Sequence, residues 1–125
     1  MQETKHIRKA AVSGLFYPDS PQELQNDIES YLENVITDKT DKDIKAIVAP
    51  HAGYYYSGQV AAYAYRQLKG KDIDTVVVIS PSHRVSLRYC SVFDGEAYET
   101  PLGRVPVDNE LSKELCEYGN GLIRL

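Results

Sequence analysis

Two histidines in this chain follow prolines at the ends of apolar runs, and the chemistry legible in the sequence gathers around them. The first lies in "KAIVAPHAGYYYSG", where the run 44–49 empties into Pro50 and His51. The second lies in "TVVVISPSHRV", where the run 75–79 is followed by Ser80, Pro81, Ser82 and His83. Neutral imidazole is a common ligand for zinc, copper and iron. Two such donors at one place would make part of a metal shell. A non-haem Fe(II) centre adds a carboxylate and keeps positions open for substrate and oxygen. No residue declares itself as that third ligand, and Asp94, Glu96 and Glu99 read as solvated loop charges. The plainer role, a hydrogen-bonded loop histidine, stays open on pattern alone. His6 has no comparable context and reads as surface.

The residues after His51 suggest a second chemistry. Gly53 and Gly58 bracket Tyr54, Tyr55, Tyr56 and Ser57 just before a helix, where backbone N–H groups can cradle an anion. Neither the GxxxxGK[ST] nor the GxGxxG spacing is present, and a tight turn is enough to explain the glycines. Tyr54, Tyr56 and Ser82 are the residues expected to line a substrate pocket.

Secondary structure must bring these residues together. The runs 44–49 and 75–79 are β-branched and apolar without alternation, as expected of strands covered on both faces. Between them "QVAAYAYRQLKG" places Val60, Ala61, Ala64, Tyr65 and Leu68 on one helical face, with Ser57 or Gly58 at the cap and Gly70 as a stop. Strand, helix and strand imply a right-handed crossover joining parallel strands. Residues just past two such strands emerge at one sheet edge, where open α/β folds place ligands. On this reading His51 and His83 share a site at the C-terminal ends of adjacent strands.

Upstream, "DSPQELQNDIESYLENV" has a strong helix start: Ser20 as cap, Pro21 at the first position and Glu23 completing a capping box. Leu24, Ile28, Tyr31, Leu32 and Val35 form its apolar face. Downstream, "LRYCSVF" reads as a strand and "EAYETPLGRVPVD" as a turn-rich stretch whose prolines suit an edge or loop. Asp108 caps a helix over "NELSKELCEY" that ends at Gly119, and "NGLIRL" begins a further apolar element. The expectation is an α/β fold, a parallel or mixed sheet flanked by helices, in one domain covering 1–125.

Composition narrows the partners. The 125 residues are 42% hydrophobic and 26% charged, with net charge −4, which suits one ordinary globular domain. No apolar run approaches the roughly 20 residues that span a bilayer, and the N-terminus lacks the apolar core of a secretory signal. No basic block tracks a phosphodiester backbone. The expected protein is cytoplasmic and binds neither membrane nor nucleic acid. Its expected partners are a small-molecule substrate and, for an exposed sheet edge, a second copy or another protein. Cys90 and Cys116 lack CxxC spacing and read as buried free thiols. Tyrosine supplies 10 residues against 2 Phe and no Trp, pointing to aromatic surface whose hydroxyls reach water or a partner.

Taken together, "GLFYPDSPQEL", "APHAGYYYSG", "ISPSHRV" and "ETPLGRVPVD" resemble, in this order and over nearly the whole chain, the Memo-like family, also called AmmeMemoRadiSam system protein B. The resemblance implies a fold similar to class III extradiol dioxygenases, which are non-haem iron enzymes. It assigns His51 of the HAGY motif and His83 of the PSH motif as metal ligands, with iron or copper as the metal and zinc as a further candidate. Many relatives have a second histidine where this chain has Arg84. The family continues into segments carrying an Asp/His pair and a cysteine that complete the site, and neither Cys90 nor Cys116 lies in that motif. The chain therefore reads as the N-terminal portion of such a domain. Two functions stay open: a metal-dependent, dioxygenase-like oxidoreductase, and a binding or interaction module without turnover.

Overall fold

The computed structural model describes residues 6–125. It has a mixed α/β architecture: β1 (Ile7–Arg8), α1 (Pro21–Glu33), α2 (Tyr54–Arg66), β2 (Cys90–Ser91), β3 (Ala97–Thr100), β4 (Gly103–Pro106), α3 (Asn109–Tyr118) and β5 (Ile123–Arg124). The chain forms two compact units. One comprises the described residues through Lys9, Ile73–Glu99 and Arg104–Leu125; the other comprises Ala10–Asp72 and Thr100–Gly103.

In the second unit α1 forms where its local signals place it. Ser20 caps α1, its hydroxyl accepting from the Glu23 N–H at 3.4 Å, with Pro21 at the first position. Satisfying one of the open N–H groups of the first turn is worth about 1 kcal/mol. Leu24 on α1 and Ala62 on α2 are the buried apolar side chains here, at 3% and 4% exposure. Two hydrogen bonds cross between the helices: Tyr31 donates its hydroxyl to the Tyr54 carbonyl at 3.3 Å, and Gln59 donates Nε2 to the Tyr31 carbonyl at 3.0 Å. Gly58 permits this approach, since a Cβ there would lie 2.8 Å from the Tyr31 ring.

The start of α2 corrects the sequence reading. The helix is capped by Gly53 rather than by Ser57 or Gly58, so the three tyrosines occupy its first turn. The Ser57 hydroxyl donates back to the Ala52 carbonyl at 3.0 Å, and its N–H donates to the Gly53 carbonyl at 3.1 Å. Ser57 is thus already helical where the sequence suggested a cap.

In the first unit, β1, β3 and β4 form a sheet in that order, with β1 parallel to β3 through Ile7 opposite Ala97 and Arg8 opposite Tyr98. β4, which carries Pro106, is an edge strand. A proline costs least there, because no ladder partner waits for its missing N–H. Gly95 is fixed by close packing: a Cβ would lie 2.2 Å from the His6 carbonyl and 2.1 Å from the Phe93 ring. Glu99 meets Lys9 at 3.0 Å and Arg104 at 3.4 Å. The hydrogen bond from Lys9, followed by its charge and by Arg104, holds the Glu99 carboxyl below the usual carboxylate range. β2 pairs in parallel with β5, bringing Cys90 opposite Ile123. The expected cap of α3 is present, the Asp108 carboxylate accepting from the Leu111 N–H at 2.9 Å.

The other expected strands are absent. Residues 44–49 and 75–79 have no regular structure, and of "LRYCSVF" only Cys90–Ser91 is a strand. The crossover expected from 44–49, α2 and 75–79 is therefore not formed among the described residues. The reason is that a strand's N–H and C=O groups are satisfied only by a neighbouring strand. The ladders present pair β1 with β3, β3 with β4 and β2 with β5, so these two runs have no place in a sheet. The apolar side chains of 75–79 face solvent, Ile79 at 91% exposure, and in 44–49 Val48 is 96% exposed while Ile44 and Ile47 are half-buried. The cysteine expectation is corrected as well: Cys90 is exposed on its short strand and Cys116 half-buried.

Candidate functional site

The second unit has a cleft of about 430 Å³ lined by Asp27 and Tyr31 of α1, Tyr54 and Tyr55 of α2, and the loop through Phe16 and Tyr17. Each wall has a local cause. Asp27 and Tyr31 are four residues apart on α1 and so share a face. The loop is tied to the head of α2 because the Tyr54 N–H donates to the Phe16 carbonyl at 2.7 Å. Tyr54 sits between two other phenols, its ring centroid 5.6 Å from that of Tyr17 and 6.3 Å from that of Tyr31. Burial, and then the phenols and carboxylate around it, push the Tyr54 hydroxyl above its ordinary value. It stays a neutral phenol through the physiological range.

Of the expected pocket residues, Tyr54 lines this cleft. Tyr56, one residue past the lining Tyr55, is 82% exposed and stacks edge-on against Tyr55 at 5.2 Å. Ser82 belongs to the other unit and closes its own turn, donating to the Val85 carbonyl at 2.6 Å and accepting from the Val85 N–H at 3.3 Å.

The two histidines belong to different units. His51 is exposed, two residues ahead of the Gly53 cap of α2, and His83 is exposed in the bend closed by Ser82. Among the described residues no group of three or more His, Cys, Asp or Glu side chains is placed to hold a metal ion. The runs 44–49 and 75–79 that precede these imidazoles form no strand among the described residues. Sequence reasoning passed over Asp27 and Tyr17 and used Tyr31 only as part of an apolar face. The four-residue spacing of Asp27 and Tyr31 was the available signal.

Comparison with known proteins gives a consistent answer. A family model described as Memo-like protein matches residues 8–123. A MEMO1 family protein of Methanothermobacter thermautotrophicus is 40% identical over 126 aligned positions, covering 95% of this chain and 45% of that protein. A MEMO1 family protein of Thermoplasma volcanium is 36% identical, covering 94% of this chain and 43% of its own length. Protein MEMO1 of Rattus norvegicus is 35% identical, with 90% of this chain and 37% of that protein covered. The chain thus spans less than half the length of these curated relatives.

Proposed function

Because the chain belongs to the Memo-like family, we propose that it supplies two donors, the imidazoles of His51 and His83, to a metal-binding site for a small-molecule substrate. Iron or copper is the metal of this reading, with zinc as a further candidate. The observation that carries it is sequence context: both histidines follow closely on a proline in exposed segments, within a chain that the family model matches almost from end to end. The donor set among the described residues falls short of a full shell. The remaining ligands come from elsewhere in the assembled site, and no catalytic step is assigned to this chain's own residues.

The second reading is a binding or interaction module without turnover, which membership of the family accommodates as readily as an oxidoreductase. A cytoplasmic setting belongs to the same proposal. No helix among the described residues is long and apolar enough to cross a membrane.

Titration with Fe(II), Cu(II) and Zn(II), read by calorimetry, tests the donors. Wild type should bind at least one of these ions, and His51→Ala/His83→Ala should lose that binding while unfolding as wild type does. Equal binding by the double variant overturns the assignment. Oxygen uptake with catechol-type compounds by a metal-loaded, longer relative then separates the two readings: uptake supports the oxidoreductase, its absence the binding module.

A further inference from the structure

The cleft between the C-terminal half of α1 and the head of α2 is built for a charge opposite to the one that the glycine turn suggests. Its lining includes one carboxylate residue, Asp27, and a set of three neighbouring rings, Tyr17, Tyr31 and Tyr54, with Phe16 and Tyr55 beside them, and no lysine or arginine. Aromatic faces are negative at their centres and attract a cation within about 6 Å. Several rings set at steep angles to one another enclose such a cation better than parallel ones. Here Tyr54 is inclined 48° to Tyr17 and 70° to Tyr31. From these features we infer that the cleft is an aromatic cage for an alkylammonium group, a quaternary or methylated amine, with Asp27 as its counter-ion.

One feature of the fold opposes a cation. The N-terminus of α2 adjoins the cleft, and a helix N-terminus carries roughly half a positive charge. The comparison of magnitudes favours Asp27, which brings a full negative charge. The amide nearest the loop is also engaged, since the Tyr54 N–H donates to the Phe16 carbonyl. The following turn begins its own ladder, with the Tyr56 and Ser57 N–H groups donating to the Gly53 carbonyl at 2.9 and 3.1 Å. The phenols add acceptor faces and no positive charge. A volume of 430 Å³ falls within the roughly 300–1,000 Å³ of small-ligand clefts and accommodates a trimethylammonium headgroup. The site lies wholly within Ala10–Asp72, and it shares no residue with the proposed metal donors.

The test uses the wild-type chain and three probes followed by NMR titration: choline, its uncharged carbon isostere dimethylbutanol, and inorganic phosphate. Choline is expected to shift the resonances of Tyr17, Tyr31 and Tyr54, while the isostere and phosphate leave them in place. Asp27→Asn keeps the shape and removes the charge, and should weaken choline binding by roughly fivefold or more. Tyr17→Leu removes one aromatic face and should also weaken it, whereas Tyr17→Phe should not. Unchanged amide spectra outside the cleft identify the variants that fold. The cage is overturned by equal binding of choline and its isostere, by phosphate binding in place of choline, by no response to choline, or by an Asp27→Asn chain that binds choline as wild type does.

Discussion

The helix pair α1–α2 and the segment 73–89 are both rich in apolar residues, yet only the first buries any of them fully. Leu24 and Ala62 are nearly inaccessible, whereas Val78 is 82% exposed and every residue from 73 through 89 faces solvent. The difference lies in where the backbone finds its partners. A helix closes its hydrogen bonds within its own segment, so an apolar face needs only another face to lie against. An extended run must be joined along its length by another chain segment before its side chains can be covered. Apolar content therefore forecasts burial for a helix much more safely than for a strand.

Truncating the side chain at the centre of the helix pair should have the largest effect. Leu24→Ala removes buried methyl and methylene groups and leaves a cavity, which should cost about 2–5 kcal/mol of unfolding free energy, measurable by urea denaturation. A loss under about 1 kcal/mol would mean that the pair is as loosely packed as the exposed segment. Next comes the cap: Ser20→Ala frees the Glu23 N–H and should cost about 1 kcal/mol. Ser20→Asp should restore the loss, because a carboxylate accepts the same bond and interacts favourably with the helix N-terminus.

The helix pair also has a pH signature. Burial raises the Tyr54 phenol, with lesser contributions from Tyr17, Tyr65, Asp27 and Tyr31. Folding therefore favours its neutral form. The resulting stability is complete below the unfolded phenol value of about 10 and is lost as the pH climbs through the higher folded value. Tyrosinate absorbance should show one phenol, absent in Tyr54→Phe, that ionises above the ordinary phenol value of about 10. Ionisation of the Tyr54 phenol at its ordinary value would show that the cleft is open to water in solution.

The same contrast explains which parts of the fold were legible in the sequence. Ser20, Pro21 and Glu23 announce α1, and Asp108 announces α3, because a cap and the N–H it satisfies are within three residues of each other. The start of α2 was misplaced by four residues because Ser57 looks like a cap in isolation. Only the structure reveals that its hydroxyl turns back to Ala52. The strands over 44–49 and 75–79 were read from composition, which says what a strand could contain but not whether a neighbour is there to pair with it. The cleft was half legible: Tyr54 stood out in a run of tyrosines, while Tyr17 and Asp27 join it only through the folding of a loop and two helices. The family, by contrast, could be read directly, because its motifs are contiguous words.

The smallest expected effect on stability is at Val78, and it is the most demanding test of the contrast. If this side chain is as exposed in solution as its 82% accessibility indicates, Val78→Lys should change the unfolding free energy by no more than about 0.5 kcal/mol. The same change should slow concentration-dependent light scattering, because "VVVIS" is an uncharged β-branched run of the kind that seeds intermolecular pairing, and a lysine interrupts it. A destabilisation above about 1 kcal/mol, with scattering unchanged, would mean that Val78 is packed against something in solution. The segment would then behave like the helix pair, and the division drawn between self-sufficient helices and unpaired extended runs would fail at the position where it is clearest.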